Sequence, residues 1–167
     1  MGKPNHPWAI QILTPDYVVA GNIVPGDDMD IILNGDYEYY KDRCILTFTD
    51  VQMRSVNNPA GSVINASELL IKQRSGLLAL IPRDDAGLQA FQKASGNKDY
   101  SLRIVMYSGV YIIRASINPG GLYASGACFM HTKDAKIEYQ SQNANLKPID
   151  AQWLVINTEM IQGYSPE

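Results

Sequence analysis

The chain has few of the residues that catalysis and metal binding need. Its 167 residues include two histidines, His6 and His131, and two cysteines, Cys44 and Cys128. Metal sites need three or four clustered ligands, which four scattered residues do not supply. His6 stands in a leader that cannot hold an imidazole in place, and His131 is expected to be a half-exposed strand histidine. The sequence therefore predicts no metal, no cofactor and no enzymatic activity.

Long apolar runs and an excess of positive charge are also missing. The longest apolar stretches, such as residues 77–81, are far shorter than the roughly 20 residues of a membrane-spanning helix. Fourteen Lys and Arg stand against 17 Asp and Glu, for a net charge of −3, so there is no basic footprint for a phosphate backbone. Cys44 and Cys128 are more simply small core residues than a disulfide. We expect a cytoplasmic protein with no membrane partner and with nucleic acid disfavoured.

What the sequence does contain is a β pattern that occurs twice. The stretches "IQILTPDYVVAGNIVPG" and "LRIVMYSGVYIIRASINPG" both alternate apolar residues at period two around a turn, and both end in Pro-Gly. Residues 44–82 overlay on residues 128–166 without a gap, which places Asp50 on Asp134 and Leu70 on Leu154. The prediction is a mostly β protein, a tandem duplication of a small bent antiparallel β-barrel, with modules at 8–82 and 100–166.

Two segments outside this pattern are predicted to be helical. In the first module an acidic start at Asp27, Asp28 and Asp30 suits the N-terminus of a short helical insert, which a Tyr-rich loop follows. Between the modules, at 83–99, Asp84 or Asp85 can cap a helix that Gly96 ends. We expect this second segment to be a packed connecting helix.

The order of these segments resembles a little-characterised bacterial domain family of unknown function. The resemblance rests on Pro25-Gly26, on residues 29–34 and 49–51, and on residues 70–78 in the first module. In the second module it rests on residues 133–135 and 155–161. More distantly, the closing strand, polar turn and strand are similar to the second motif of Sm-like proteins, which implies a small Sm-like or SH3-like barrel.

The sequence favours a function in binding rather than in chemistry. Small sheets leave unpaired strand edges that invite a second chain, and the tyrosines of "YEYYK" can form a rigid contact patch. The predicted function is a non-enzymatic binding or scaffold protein that forms a homo-oligomer or binds another protein. The alternative is an Sm-like RNA or nucleotide binder, although Thr158 and Glu159 stand where the second module would need a contact like that of Arg74. The interface candidates are Tyr37, Tyr39, Tyr40 and Arg74.

Overall fold

The computed structural model describes residues 6–26, 29, 32–33, 45–72, 76–122, 129–140 and 146–167. Over these residues the fold is mostly β, as the sequence predicts. The ten strands are β1 (Trp8–Leu13), β2 (Tyr17–Ile23), β3 (Ile45–Ser55), β4 (Ile64–Lys72), β5 (Ala79–Pro82), β6 (Leu102–Ser108), β7 (Tyr111–Ile117), β8 (Phe129–Tyr139), β9 (Ile149–Asn157) and β10 (Gly163–Pro166). Helix α1 (Asp85–Ser95) joins β5 to β6.

The strands form one open antiparallel sheet in the order β10-β6-β7-β8-β9-β5-β1-β2-β3-β4. The predicted barrels do not close. Closing the first one would need β4 to pair with β5, which follows it in the chain, but β5 pairs with β1 on one side and with β9 on the other. The two predicted strands, β4 and β5, are therefore both present, but they do not pair with each other as a hairpin.

The second half of the sheet repeats the strand order of the first. The order is β5-β1-β2-β3-β4 in one half and β10-β6-β7-β8-β9 in the other. We call two residues counterparts when they occupy the same place in these two orders. In β3 and β8, and in β5 and β10, counterparts lie 84 positions apart, as the sequence overlay has it.

The gap-free overlay is wrong at β4. Leu46 of β3 pairs with Ile71, whereas its counterpart Met130 of β8 pairs with Ile156. Counterparts in β4 and β9 are therefore 85 positions apart, because the turn before β9 is one residue longer. Leu70 is the counterpart of Val155, and not of Leu154.

Period-two alternation builds two cores that meet at β5 and β9. In the first hairpin Ile10, Ile12 and Val19 are buried, as the pattern predicts, while Leu102 of the second hairpin is exposed. We call the cluster around β1–β5 the first core and the cluster around β6–β9 the second core. The first core also takes in Phe129, Trp153 and Val155, and the second takes in Leu13, Val56, Leu78, Ala79 and Ile81. The two halves thus share their interiors.

Each half bends at the same backbone irregularity. Asp50 in β3 and Asp134 in β8 both have φ of 51°, which non-glycine residues rarely adopt. The pairing register shifts at both places, between Ala20 and Asn22 and between Arg114 and Ser116. A β-bulge of this kind bends its strand and increases the twist. Both eleven-residue strands therefore change direction at equivalent points.

Helix α1 follows its sequence signals closely. Asp84 caps its N-terminus, with the carboxylate accepting from Gly87 N–H at 2.8 Å, and Gly96 ends it. The other Asp84 oxygen accepts from Ala9 N–H at 2.7 Å, which fixes the helix to β1. In the insert, Met29, Ile32 and Leu33 are helical and buried in the first core. Within the described residues, no helix has the length and apolarity needed to span a bilayer.

Candidate self-association edges

The sheet ends in two strand edges that have no partner strand within the described part of the chain. These are the outer side of β4 and the outer side of β10. The N–H and C=O groups of an unpaired edge readily accept another strand. Large apolar side chains are exposed at both places: Ile64 and Leu70 on β4, and Tyr164 on β10. The two edges are therefore the main candidates for binding a second polypeptide.

The centre of the sheet shows how this fold pairs such strands. There β5 meets β9, with Ala79 opposite Ile156 and Leu80 opposite Val155. Asn157 N–H extends the ladder by donating to Leu78 O at 2.7 Å. Leu80 and Val155 are both fully buried, and both belong to the first core. We call this β5–β9 contact the internal joint.

The open edges carry the counterparts of the two residues that meet at the internal joint. Tyr164 on β10 is the counterpart of Leu80, and Leu70 on β4 is the counterpart of Val155. Tyr164 is 45% exposed and Leu70 is 56% exposed, whereas Leu80 and Val155 are both 0% exposed. The two side chains that are buried at the internal joint therefore have counterparts that are exposed to solvent at the open edges.

The backbone of β10 is held like that of β5. Arg83 N–H donates to Ala9 O, and its counterpart Glu167 N–H donates to Arg103 O. Alternate residues of an antiparallel strand direct their N–H and C=O groups to opposite neighbours. Glu167 faces β6, so Tyr164, three residues earlier, directs its backbone groups away from β6. The open edge of β10 therefore presents the groups that β5 uses toward β9.

Buried polar groups link the two halves of the sheet, both at the internal joint and beside it. The Asn157 side chain is fully buried, and its amide donates to Leu77 O at 2.9 Å while its oxygen accepts from Glu159 N–H at 3.1 Å. From β7, the Tyr111 hydroxyl donates to Thr14 O at 2.8 Å, and burial raises the pKa of this phenol. The counterpart of Asn157 on β4 is Lys72, which is exposed. The internal joint is thus more specialised than the open edges.

His131 makes a hydrogen bond from β8 to the insert of the first half. Its Nε2 lies 2.7 Å from Leu33 O, and because a carbonyl only accepts, Nε2 carries the hydrogen. Its Nδ1 is buried and has no hydrogen-bond partner among the described atoms. Burial lowers the pKa of the imidazole, so the neutral form is favoured. The residue joins β8 to the insert of the first half and is more buried than the sequence suggests.

A groove of about 670 Å³ lies on the face of β1–β3, beside residues 146–150. Arg54, Arg83 and Lys147 line it together with one acid, Asp150. Arg83 is already engaged, since it donates to the side chain of Gln11 and, at 3.0 Å, to Asp150 O. Burial lowers the pKa of the Arg83 guanidinium, and Asp150 opposes that effect. With three basic side chains and one acidic side chain, the groove is a candidate site for an anionic ligand.

The interface residues predicted from the sequence lie outside the described residues. This applies to Tyr37, Tyr39 and Tyr40 of the insert and to Arg74 after β4. Cys44 and Cys128 lie outside them as well. Among the described residues there is no cluster of three or more His, Cys, Asp or Glu that could hold a metal ion. Sequence reasoning missed Leu70 and Tyr164: the repeat relates Tyr164 to Leu80, but its gap-free overlay placed Leu70 on Leu154 instead of Val155.

Comparisons of the chain with protein-family models, with curated proteins and with solved structures returned no match.

Proposed function

We propose that the protein is a non-enzymatic binding or scaffold protein of the cytoplasm that self-associates through the edges of its sheet. One observation carries the proposal. Leu70 and Tyr164 are exposed at the open edges, while their counterparts Val155 and Leu80 face each other, fully buried, at the internal joint. The internal joint is therefore, within one chain, the kind of strand pairing that we propose for the open edges of two chains.

We infer that the chain is a tandem duplication of one bent five-stranded module. Three features of the sheet support this. Both halves have the same strand order, both have a residue with φ of 51° in the third strand, and both attach the last strand by the same flanking hydrogen bonds. A duplicated module keeps the binding edges of its ancestor. One pair is used at the internal joint and one pair is left at the ends.

Light scattering tests self-association directly. At micromolar concentration we expect a mass above that of one chain, falling on dilution. A double variant, Leu70→Lys and Tyr164→Lys, is expected to be monomeric, because edge lysines oppose strand addition. The matched control is Val24→Lys, since Val24 is 57% exposed but follows β2, inside the sheet order. A wild-type chain that stays monomeric at micromolar concentration contradicts the proposal.

A nucleotide or RNA binder is the second candidate, and the groove is the observation that favours it. Arg54, Arg83 and Lys147 line it with one acid, Asp150, which gives the groove a positive excess on a chain of net charge −3. Filter binding at low salt, where phosphate contacts are strongest, tests this candidate. Absence of binding under those conditions removes it.

A further inference from the structure

One open edge is a short strand and the other is a long strand, as are the two strands that meet at the internal joint. At that joint a short last strand, β5, meets a long fourth strand, β9. At the ends of the sheet, β10 is the short last strand and β4 is the long fourth strand. The edges are therefore complementary to each other, and neither is complementary to itself in this sense.

We propose that β10 of one copy pairs with β4 of the next copy, head to tail and antiparallel, with Tyr164 opposite Leu70. The partner is a second copy of this chain, and the inference rests on the proposed function. A contact between two different patches is heterologous, so it builds a ring when the rotation closes and a filament when it does not. Each copy then has one donor edge and one acceptor edge.

The register follows from the internal joint. There Ala79 is opposite Ile156 and Leu80 is opposite Val155. Replacing each residue by its counterpart places Gly163 opposite Ile71 and Tyr164 opposite Leu70. Because β10 covers only Gly163–Pro166, it reaches residues 68–71 of β4 and leaves the other end of that strand free.

The side chains fit this register. Val155 belongs to the first core, so it points into the interior of the half that supplies β5. By the same geometry Leu70 would enter the core of the copy that supplies β10. Tyr164 takes the place of Leu80 beside it. A side chain that is 56% exposed in one copy is therefore covered by the next copy.

The backbone allows one edge to be blocked without disturbing the chain itself. Asn157 N–H points to β5, so Val155, two residues earlier, also points there, and its counterpart Leu70 directs its N–H to the open edge. Proline is tolerated on edge strands when the missing N–H faces outward. Leu70→Pro and Tyr164→Pro therefore each remove an outward donor and keep the inner ladder.

A mixing experiment tests the polarity of the contact. Leu70→Pro and Tyr164→Pro are each purified and measured alone by light scattering, and then mixed in equal amounts. Each variant alone keeps one usable edge, so each is expected to be a monomer. The mixture is expected to double in mass, because the intact β10 of one variant meets the intact β4 of the other. Leu70→Asp and Tyr164→Asp repeat the test without proline, and each protein is checked for a cooperative unfolding transition.

The control for register is Ile64→Asp, on the same edge strand. Ile64 is 45% exposed, but it lies outside the residues that β10 reaches. This variant keeps both proposed contact edges, so it is expected to assemble like the wild type without a complementary variant. A disulfide adds a second readout, since paired Cα atoms about 5.5 Å apart are within disulfide reach. In a background lacking Cys44 and Cys128, Leu70→Cys is expected to cross-link with Tyr164→Cys, and Ile64→Cys is not.

The outcomes separate the inference from the proposed function. If either proline variant dimerises alone, like edges pair with like edges, and the head-to-tail inference is wrong while self-association stands. If the wild type assembles but Leu70→Cys and Tyr164→Cys do not cross-link, the register is wrong. A wild type that remains a monomer, with no doubling of mass in the mixture, overturns both.

Discussion

Val155→Ala should destabilise the fold more than Leu70→Ala at its counterpart, although Val155→Ala removes fewer carbon atoms. Val155→Ala removes two fully buried carbons, worth about 1.6 kcal/mol at roughly 0.8 kcal/mol each, and the cavity raises the loss to about 2–3 kcal/mol. Leu70→Ala removes three carbons, but the side chain is 56% exposed, so the same arithmetic gives about 1 kcal/mol in the isolated chain. The larger truncation is therefore the milder one.

Raising the protein concentration should increase the stability deficit of Leu70→Ala and leave that of Val155→Ala almost unchanged. Association stabilises a protein in proportion to the logarithm of partner concentration, so at about 50 μM the assembled wild type gains stability that Leu70→Ala loses. We expect the deficit of Leu70→Ala to grow to about 2–3 kcal/mol there, while that of Val155→Ala changes little. Urea unfolding followed by tryptophan fluorescence, at about 0.2 μM and at about 50 μM, measures both free energies of unfolding.

Two results would refute this reasoning. If Leu70→Ala and Val155→Ala lose equal stability in dilute solution, then Leu70 is already buried within a single chain and the β4 edge is not open. If the deficit of Leu70→Ala is the same at both concentrations, then no second copy covers that side chain. Ile64→Ala is the control, because Ile64 is similarly exposed on β4 and lies outside the proposed contact.

Three further predictions concern the fold. Asn157→Leu should lower the free energy of unfolding by about 1–3 kcal/mol, because it removes the amide that donates to the buried Leu77 carbonyl; urea unfolding measures this, and a neutral result would contradict it. At Asp50 and Asp134, substitution by Ala should cost about 1 kcal/mol and substitution by Gly should cost little, because φ is 51° at both; equal losses for Ala and Gly would argue against backbone strain. Burial lowers the pKa of His131, so the unfolded chain binds a proton at this residue more readily than the folded chain does. The free energy of unfolding should therefore be highest above the ordinary pKa of about 6.5 and should fall at lower pH, by at most about 1.4 kcal/mol per pH unit. In unfolding curves between about pH 7 and about pH 5.5, His131→Gln should flatten this slope.

Local patterns in the sequence predicted the local structure well. The hairpins follow from alternation around a turn, with Ile12 and Val19 buried where the pattern places them. Helix α1 follows from Asp84 and Gly96, a side-chain cap and a residue that accepts positive φ. These signals act between residues close in the chain, so a single sequence contains them.

The pairing of distant strands could not be predicted in the same way. Nothing local in Ala79–Pro82 indicates that β5 lies between β1 and β9, because that choice depends on backbone groups about 75 residues away. The overlay of the two halves also failed by one residue at β4. An apolar run such as Leu69, Leu70 and Ile71 matches its counterpart in either register, and only the β3–β4 ladder shows which side chain faces out. The edge residues became visible once that ladder was known.

The shortness of β5 has a consequence for how the molecule holds together. Its ladder to β9 has two residue pairs, whereas the ladder between β8 and β9 has eight. Cohesion across the middle of the protein therefore comes mostly from side chains excluded from water, and the covalent link through α1 keeps the halves at high effective concentration. A contact of the same size between separate copies has no such tether. Assemblies built from it would dissociate and re-form readily, and the assembled fraction would depend on the concentration of the protein.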